Sequence, residues 1–188
     1  MGTLSGFIGE NNIFAVHYFN MEKRTAIVFG ATGLVGSHVL EVLDREDQYG
    51  KILLFNRRAG RPASSKTVEI LIDFSDMKEL EKHVTDGDIF CCVGTTIKKA
   101  KTQEHFRKVD YGIPVSLAGI ASRKSAGRFI AISSIGADPE SRNFYLRTKG
   151  EMEQAVGRIL GDKAVFVRPS LLLGTRNELR FGEAAGKL

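Results

Sequence analysis

Residues 25–36 read Thr25-Ala26-Ile27-Val28-Phe29-Gly30-Ala31-Thr32-Gly33-Leu34-Val35-Gly36. A short, unbroken apolar run ends in glycines spaced G-x-x-G-x-x-G. Val35, Val39 and Leu43 then recur every four residues, the apolar stripe of one helical face. Such a run is what a strand buried on both faces requires. Strand, glycine turn and helix start, in that order, make a cradle for phosphate. The glycines allow a tight turn and close approach of backbone to a pyrophosphate, and the helix end offers free N–H groups. In this setting the three glycines carry far more weight than they would alone, and no Gly-Lys-Ser/Thr follows that would make a Walker-type loop.

The same rhythm continues outward. KILLF (51–55), TVEILIDF (67–74), DIFCCV (88–93), RFIAIS (128–133) and KAVFVR (163–168) read as further strands. Between them lie a charged helical stretch over 77–83 and a helix from near Pro114, tolerated in a first turn, to about Arg123. A longer helix follows, with Met152, Val156 and Ile159 or Leu160 on its apolar face. Strands alternating with helices pair in parallel through right-handed crossovers. The expected fold is α/β, a doubly wound parallel sheet in three layers, with ligands bound beyond the carboxyl ends of the strands.

The 188 residues amount to one domain, and 43% hydrophobic with 26% charged is an ordinary globular balance. The net charge of +5 admits anionic partners without choosing among them. Cys91 and Cys92 are adjacent and would point to opposite faces of a strand, so no disulfide framework is expected; a reducing, cytoplasmic setting follows. No apolar run approaches the ~18–20 residues of a membrane span. Residues 1–20 contain no Lys or Arg, which argues against a secretory signal. They are expected to be an extension outside the domain, which would occupy 21–188.

Function should sit just after each strand. Twenty residues past Gly36, where an acidic residue would bind the ribose 2′-hydroxyl of NAD, stands Asn56, followed by Arg57 and Arg58. A guanidinium grips a 2′-phosphate that a carboxylate would repel, so NADP(H) is the expected cofactor. Asp73, after the third strand, could accept from the adenine amino group or serve as a turn or cap residue. Ser133 and Ser134 end the fifth strand, and Tyr145 and Lys149 share a face of the next helix. This combination suits hydride transfer between a carbonyl and an alcohol. The tyrosine moves the substrate proton, the lysine ammonium favours the phenolate, and a serine holds the substrate oxygen. The four histidines are scattered, so no metal is expected.

Taken in order, these motifs resemble the atypical short-chain dehydrogenase/reductases, and within them the Tat-interacting oxidoreductase group, close to NmrA-like NAD(P)-binding proteins. The resemblance rests on Gly30 to Gly36, Asn56-Arg57-Arg58, Cys91-Cys92-Val93-Gly94-Thr95-Thr96, Val109-Asp110-Tyr111, Ser133-Ser134-Ile135-Gly136-Ala137, Tyr145 with Lys149, and Arg168-Pro169. It implies a Rossmann fold, NADPH at the strand ends and Tyr145 as proton donor. It further implies that Lys149 binds the nicotinamide ribose, that Val93, Gly94 and Thr95 line the cofactor, and that Arg168, Pro169 and Ser170 sit near the nicotinamide. Cys91 and Cys92 would be core residues.

Many members of that family carry a catalytic asparagine in the helix after strand four, where this chain has Val109-Asp110-Tyr111. Tyr145 follows Ser133 by twelve residues and Ser134 by eleven, a tighter spacing than the common pattern, and Ser133 is the favoured serine. The chain is also short for this fold, which disfavours a sugar-nucleotide epimerase.

Two functions compete: an NADPH-dependent reductase of a small carbonyl substrate, and an NADP(H)-binding regulatory protein with little turnover. A homodimer is compatible with either. Nucleic-acid binding through Lys98, Lys99, Lys101, His105, Arg107 and Lys108, with Phe106 among them, is a third and disfavoured reading.

Overall fold

A computed structural model of the chain describes residues 23–60 and 64–170. The extension proposed over 1–20 and the stretch after Ser170 lie outside the described residues. Six strands form one sheet: β1 (Arg24–Phe29), β2 (Tyr49–Asn56), β3 (Thr67–Leu71), β4 (Asp88–Cys91), β5 (Phe129–Ile132) and β6 (Ala164–Val167). Their order is β3-β2-β1-β4-β5-β6, and every pairing is parallel. Helix α1 (Leu34–Arg45) joins β1 to β2, and α2 (Met77–His83) joins β3 to β4. Between β4 and β5 run α3 (Ile97–Ala100), α4 (Gln103–Arg107) and α5 (Ile113–Arg123), and α6 (Phe144–Leu160) leads to β6. This is the doubly wound Rossmann architecture expected from the sequence. Its strand order reverses between β1 and β4, where such sheets open a crevice for ligand.

Burial follows from position in the sheet. β1 is central, and Ala26 through Phe29 are fully buried because neither face of an interior parallel strand meets water. Alternate residues serve opposite faces. Ile27, Phe29, Leu53, Phe55, Ile89, Cys91, Phe129 and Ala131 pack with Leu80 of α2, Leu117 and Ile120 of α5, and Met152 and Val156 of α6. Ala26, Val28, Ile52 and Leu54 pack with Val39, Leu40 and Leu43 of α1. Phe29 stacks on Phe55 at 4.7 Å across the β1–β2 pair.

Two stretches differ from the sequence expectation. β3 ends at Leu71 rather than Phe74. Asp73 starts a turn by accepting the Ser75 N–H, and Phe74 swings back onto Phe29. The basic stretch around Lys98 is more helical than a loop and an exposed helix face. Thr96 and Thr102 cap two short helices through the N–H groups of Lys99 and His105. Each helix is too short to display a period. They hold because Phe106 is fully buried against Phe144 and Tyr145.

Candidate active site

The glycine turn is shaped by what it touches. Gly30 has φ +81°, and a Cβ there would lie 2.8 Å from the Cys92 carbonyl. A Cβ at Gly36 would overlap the Gly30 carbonyl oxygen. The turn therefore lies directly against the exit of β4, and packing alone requires glycine at both positions. The Gly33 N–H closes the turn on the Gly30 carbonyl at 3.0 Å. Gly33 is also the N-cap of α1 and has no side chain to offer, so the first N–H groups of the helix have no partner within it.

The opposite wall comes from β5 and α6. Beyond β5 the backbone stays tied to the end of β6, with Ser133 N–H bonded to Val167 and Ile135 N–H to Pro169. The Ser134 hydroxyl donates to the Ile135 carbonyl at 3.2 Å. The Ser133 hydroxyl is buried and has no hydrogen-bond partner among the described residues. Asn143 caps α6 by accepting the N–H groups of Tyr145 and Leu146, which sets Tyr145 in the first turn. Lys149 follows one turn later.

Lys149 is 4% exposed, and its Nζ lies 2.8 Å from Asp110 Oδ1 and 3.2 Å from the Ile132 carbonyl oxygen. Asp110 sits mid-way in a π-turn over Lys108–Gly112, closed by the Ile113 N–H on the Lys108 carbonyl. Pro114 explains the widening. It has no N–H for the carbonyl four residues back, that of Asp110, and its ring crowds that carbonyl.

One pocket collects these groups. It is lined by Val35, Cys92, Val93, Gly94, Thr95, Thr96, Ile97, Asp110, Ile132, Ser133, Ser134, Tyr145, Lys149, Pro169 and Ser170. Of the residues singled out from sequence, it unites Val35, Val93, Gly94, Thr95, both serines, Tyr145, Lys149 and Pro169. Gly30, Thr32, Gly33, Leu34 and Gly36 form the adjoining turn and helix start. Arg57 and Arg58 are exposed beyond β2.

Three expected cofactor residues are engaged elsewhere. The Asn56 side chain is buried and donates to Glu69 at 2.7 Å, the carboxylate that also takes the Gly60 N–H. Asp73 is an exposed turn residue; the Ser75 backbone bond, with a smaller pull from Arg57 and Lys108, holds its carboxyl below the usual range. The Arg168 guanidinium is paired with Glu153 of α6, a bond that raises its already high pKa, and it does not line the pocket.

Burial pushes the Cys91 thiol up to about 12 and the Cys92 thiol to about 11, which suits core residues and not nucleophiles. The nucleic-acid patch loses its aromatic, because Phe106 is core. Its Arg107 pairs with Glu151 and covers the Tyr111 ring. Asp110 is the site residue whose part the sequence concealed. It stood out only as a departure from an asparagine, and its contacts cross 15 and 39 residues of chain.

With that geometry in place, comparison decides the family. The profile of the NAD(P)H-binding family matches residues 30–178. The chain belongs to the NAD(P)H-binding family. Among curated relatives of this NAD(P)H-binding chain, the mitochondrial protein FMP52 of Meyerozyma guilliermondii is 35% identical over 153 residues, 80% of this chain and 66% of that protein. Protein HTATIP2 of Rattus norvegicus is 31% identical over 169 residues, 88% of this chain and 69% of its own length. The chain thus spans about two thirds of the length of these curated relatives.

Among solved structures, the oxidoreductase ylbE of Lactococcus lactis aligns with TM-score 0.67 at 21% identity, covering 81% of this chain and 71% of that one. A UDP-glucose 4-epimerase of Thermotoga maritima aligns with TM-score 0.66 at 14% identity, covering 82% and 58%. These two likenesses concern the fold. No helix among the described residues is long and apolar enough to cross a membrane.

Proposed function

We propose that this NAD(P)H-binding chain is an NADP(H)-dependent oxidoreductase of short-chain dehydrogenase type, acting on a small carbonyl or alcohol substrate. The observation that carries this reading is the buried Ser133 hydroxyl without a partner, on a pocket wall shared with Tyr145 and Lys149. A buried, unpaired hydroxyl is costly unless something else completes it. A substrate oxygen would do so.

The glycine turn and the uncapped start of α1 would hold the pyrophosphate. Arg57 and Arg58 would hold the 2′-phosphate, and Lys149 the nicotinamide ribose. When bound, the nicotinamide would supply or accept the hydride. On the chain's side, Tyr145 delivers a proton to the carbonyl oxygen while Ser133 donates a hydrogen bond to that oxygen. The Lys149 ammonium, on the same helix face, stabilises the phenolate left behind. Ser134 is the lesser candidate because its hydroxyl is already satisfied.

Fluorescence titration with NADPH and NADH tests the cofactor half. NADPH should bind at least about tenfold tighter, and Arg57→Ala with Arg58→Ala should erase the difference. Equal or tighter NADH binding would contradict the arginine roles. A panel of carbonyl substrates tests the other half. If NADPH binds but no carbonyl compound is reduced at its expense, the alternative reading of an NADP(H)-binding regulatory protein is favoured. Cysteine usage argued for a cytoplasmic setting, but a reducing organelle satisfies it equally, and the fungal relatives are named as mitochondrial.

A further inference from the structure

Asp110 meets two donors from two different elements. One carboxylate oxygen lies 2.8 Å from Lys149 Nζ, and the other accepts the Thr95 N–H at 2.8 Å. Asp110 and Lys149 are almost wholly buried, at 1% and 4% exposure. An amide side chain would serve this place badly. It offers one oxygen and one NH2 group, so facing two donors it must turn its own donor toward one of them. A carboxylate offers an acceptor oxygen to each. The position is therefore chemically selective for the acid, although the resembling family commonly has asparagine in this helix.

Lys149 completes the geometry. An ammonium has three N–H bonds. One points at Asp110, which the Thr95 N–H holds, and one at the carbonyl of Ile132 at the end of β5. The third remains for the pocket that Lys149 lines. The carboxylate also supplies the counter-charge without which a buried ammonium is costly.

We propose that Asp110 is a positioning residue for cofactor binding. It aims the free N–H of Lys149 into the pocket, and it ties that lysine to the Val93-Gly94-Thr95 loop, so that the two walls touching the cofactor are set by one side chain. This inference rests on the reading that Lys149 holds the nicotinamide ribose.

The test is a double-mutant cycle on NADPH affinity, read by fluorescence titration of the full chain, with thermal midpoints recorded alongside. Asp110→Asn should weaken NADPH binding about tenfold. In a Lys149→Met background the same substitution should change affinity less than twofold, because Asp110 acts through Lys149. A merely structural Asp110 would lower the midpoint and leave the affinity of the folded protein unchanged, and that result overturns the proposal. Additive losses in the cycle also overturn it, since Asp110 would then act through Thr95 alone.

If Asp110→Asn does not fold, the neutral double variant is compared with Lys149→Met, and any further loss of affinity counts against the proposal. Failure of the unmodified chain to bind NADPH would overturn the functional reading and this inference together. NADPH binding that Asp110→Asn leaves untouched overturns this inference alone.

Discussion

Two buried carboxylates stand at opposite ends of the same sheet. Asp88, at the start of β4, is 1% exposed, as is Asp110 beyond its end. Asp88 accepts from the Arg24 guanidinium, the Arg128 N–H and the Tyr49 hydroxyl. These donors belong to β1, to β2 and to the residue before β5, so this end of the sheet is stapled. Among the described residues Asp110 meets only the Thr95 N–H and Lys149. Among the described residues its lysine keeps one N–H uncommitted, and the Ser133 hydroxyl lining the same pocket has no partner. Equal burial thus serves opposite ends. A saturated network holds strands in register, whereas a network left one donor and one hydroxyl short is prepared for a ligand.

The largest effect that would sharpen this contrast belongs to the open end. Tyr145→Phe should cut turnover by about 100- to 10,000-fold. NADPH affinity and thermal midpoint should hardly change, because the ring still packs on Phe106. Turnover within tenfold of the unmodified chain would remove Tyr145 as proton donor.

Next comes the saturated end. Asp88→Ala leaves the Arg128 N–H and the Tyr49 hydroxyl without their acceptor, while the half-exposed Arg24 guanidinium turns to water, and should cost about 2–4 kcal/mol in urea unfolding. NADPH affinity of the folded fraction should stay within about twofold. A loss of affinity without a loss of stability would break the distinction between the two ends.

A smaller effect is set by pH. Burial first, then the hydrogen bond to Asp88, push the Tyr49 phenol up to about 12, against about 10 in an unfolded chain. The folded pKa is the higher one. The contribution is therefore intact below about pH 10 and is lost as the pH climbs toward 12. Tyr49→Phe should flatten that alkaline decline and cost about 1 kcal/mol at neutral pH. Unfolding curves with the same alkaline slope in both proteins would show that Tyr49 does not staple that end.

Much of this was legible in residues. TAIVFGATGLVG identifies β1, its turn and the start of α1 because the middle of an interior parallel strand is buried on both faces and the turn packs too tightly for a Cβ. Ser133, Tyr145 and Lys149 could be named because Ser133 directly follows strand five, and Tyr145 and Lys149, four residues apart, share a face of the next helix. The arginines after β2 were visible by position, although their neighbour Asn56 turned inward to Glu69. The two short helices over 97–107 are not legible by period, because two threonine caps and one buried phenylalanine hold them and none of these produces a period.

Sequence alone therefore determined the order of elements, the parallel sheet and the positions after each strand where a ligand would lie. Those follow from local patterns of polarity and from the chirality of crossovers. The tertiary structure alone decided which polar side chains are satisfied. It spent Asn56 and Arg168 on Glu69 and Glu153, bonded Ser134 to its own neighbour, and left Ser133 without a partner. It also joined Asp110 to Lys149 across 39 residues of chain. Hydrogen bonding is settled by distances of a few ångströms between segments far apart in sequence, and nothing in the local pattern encodes them.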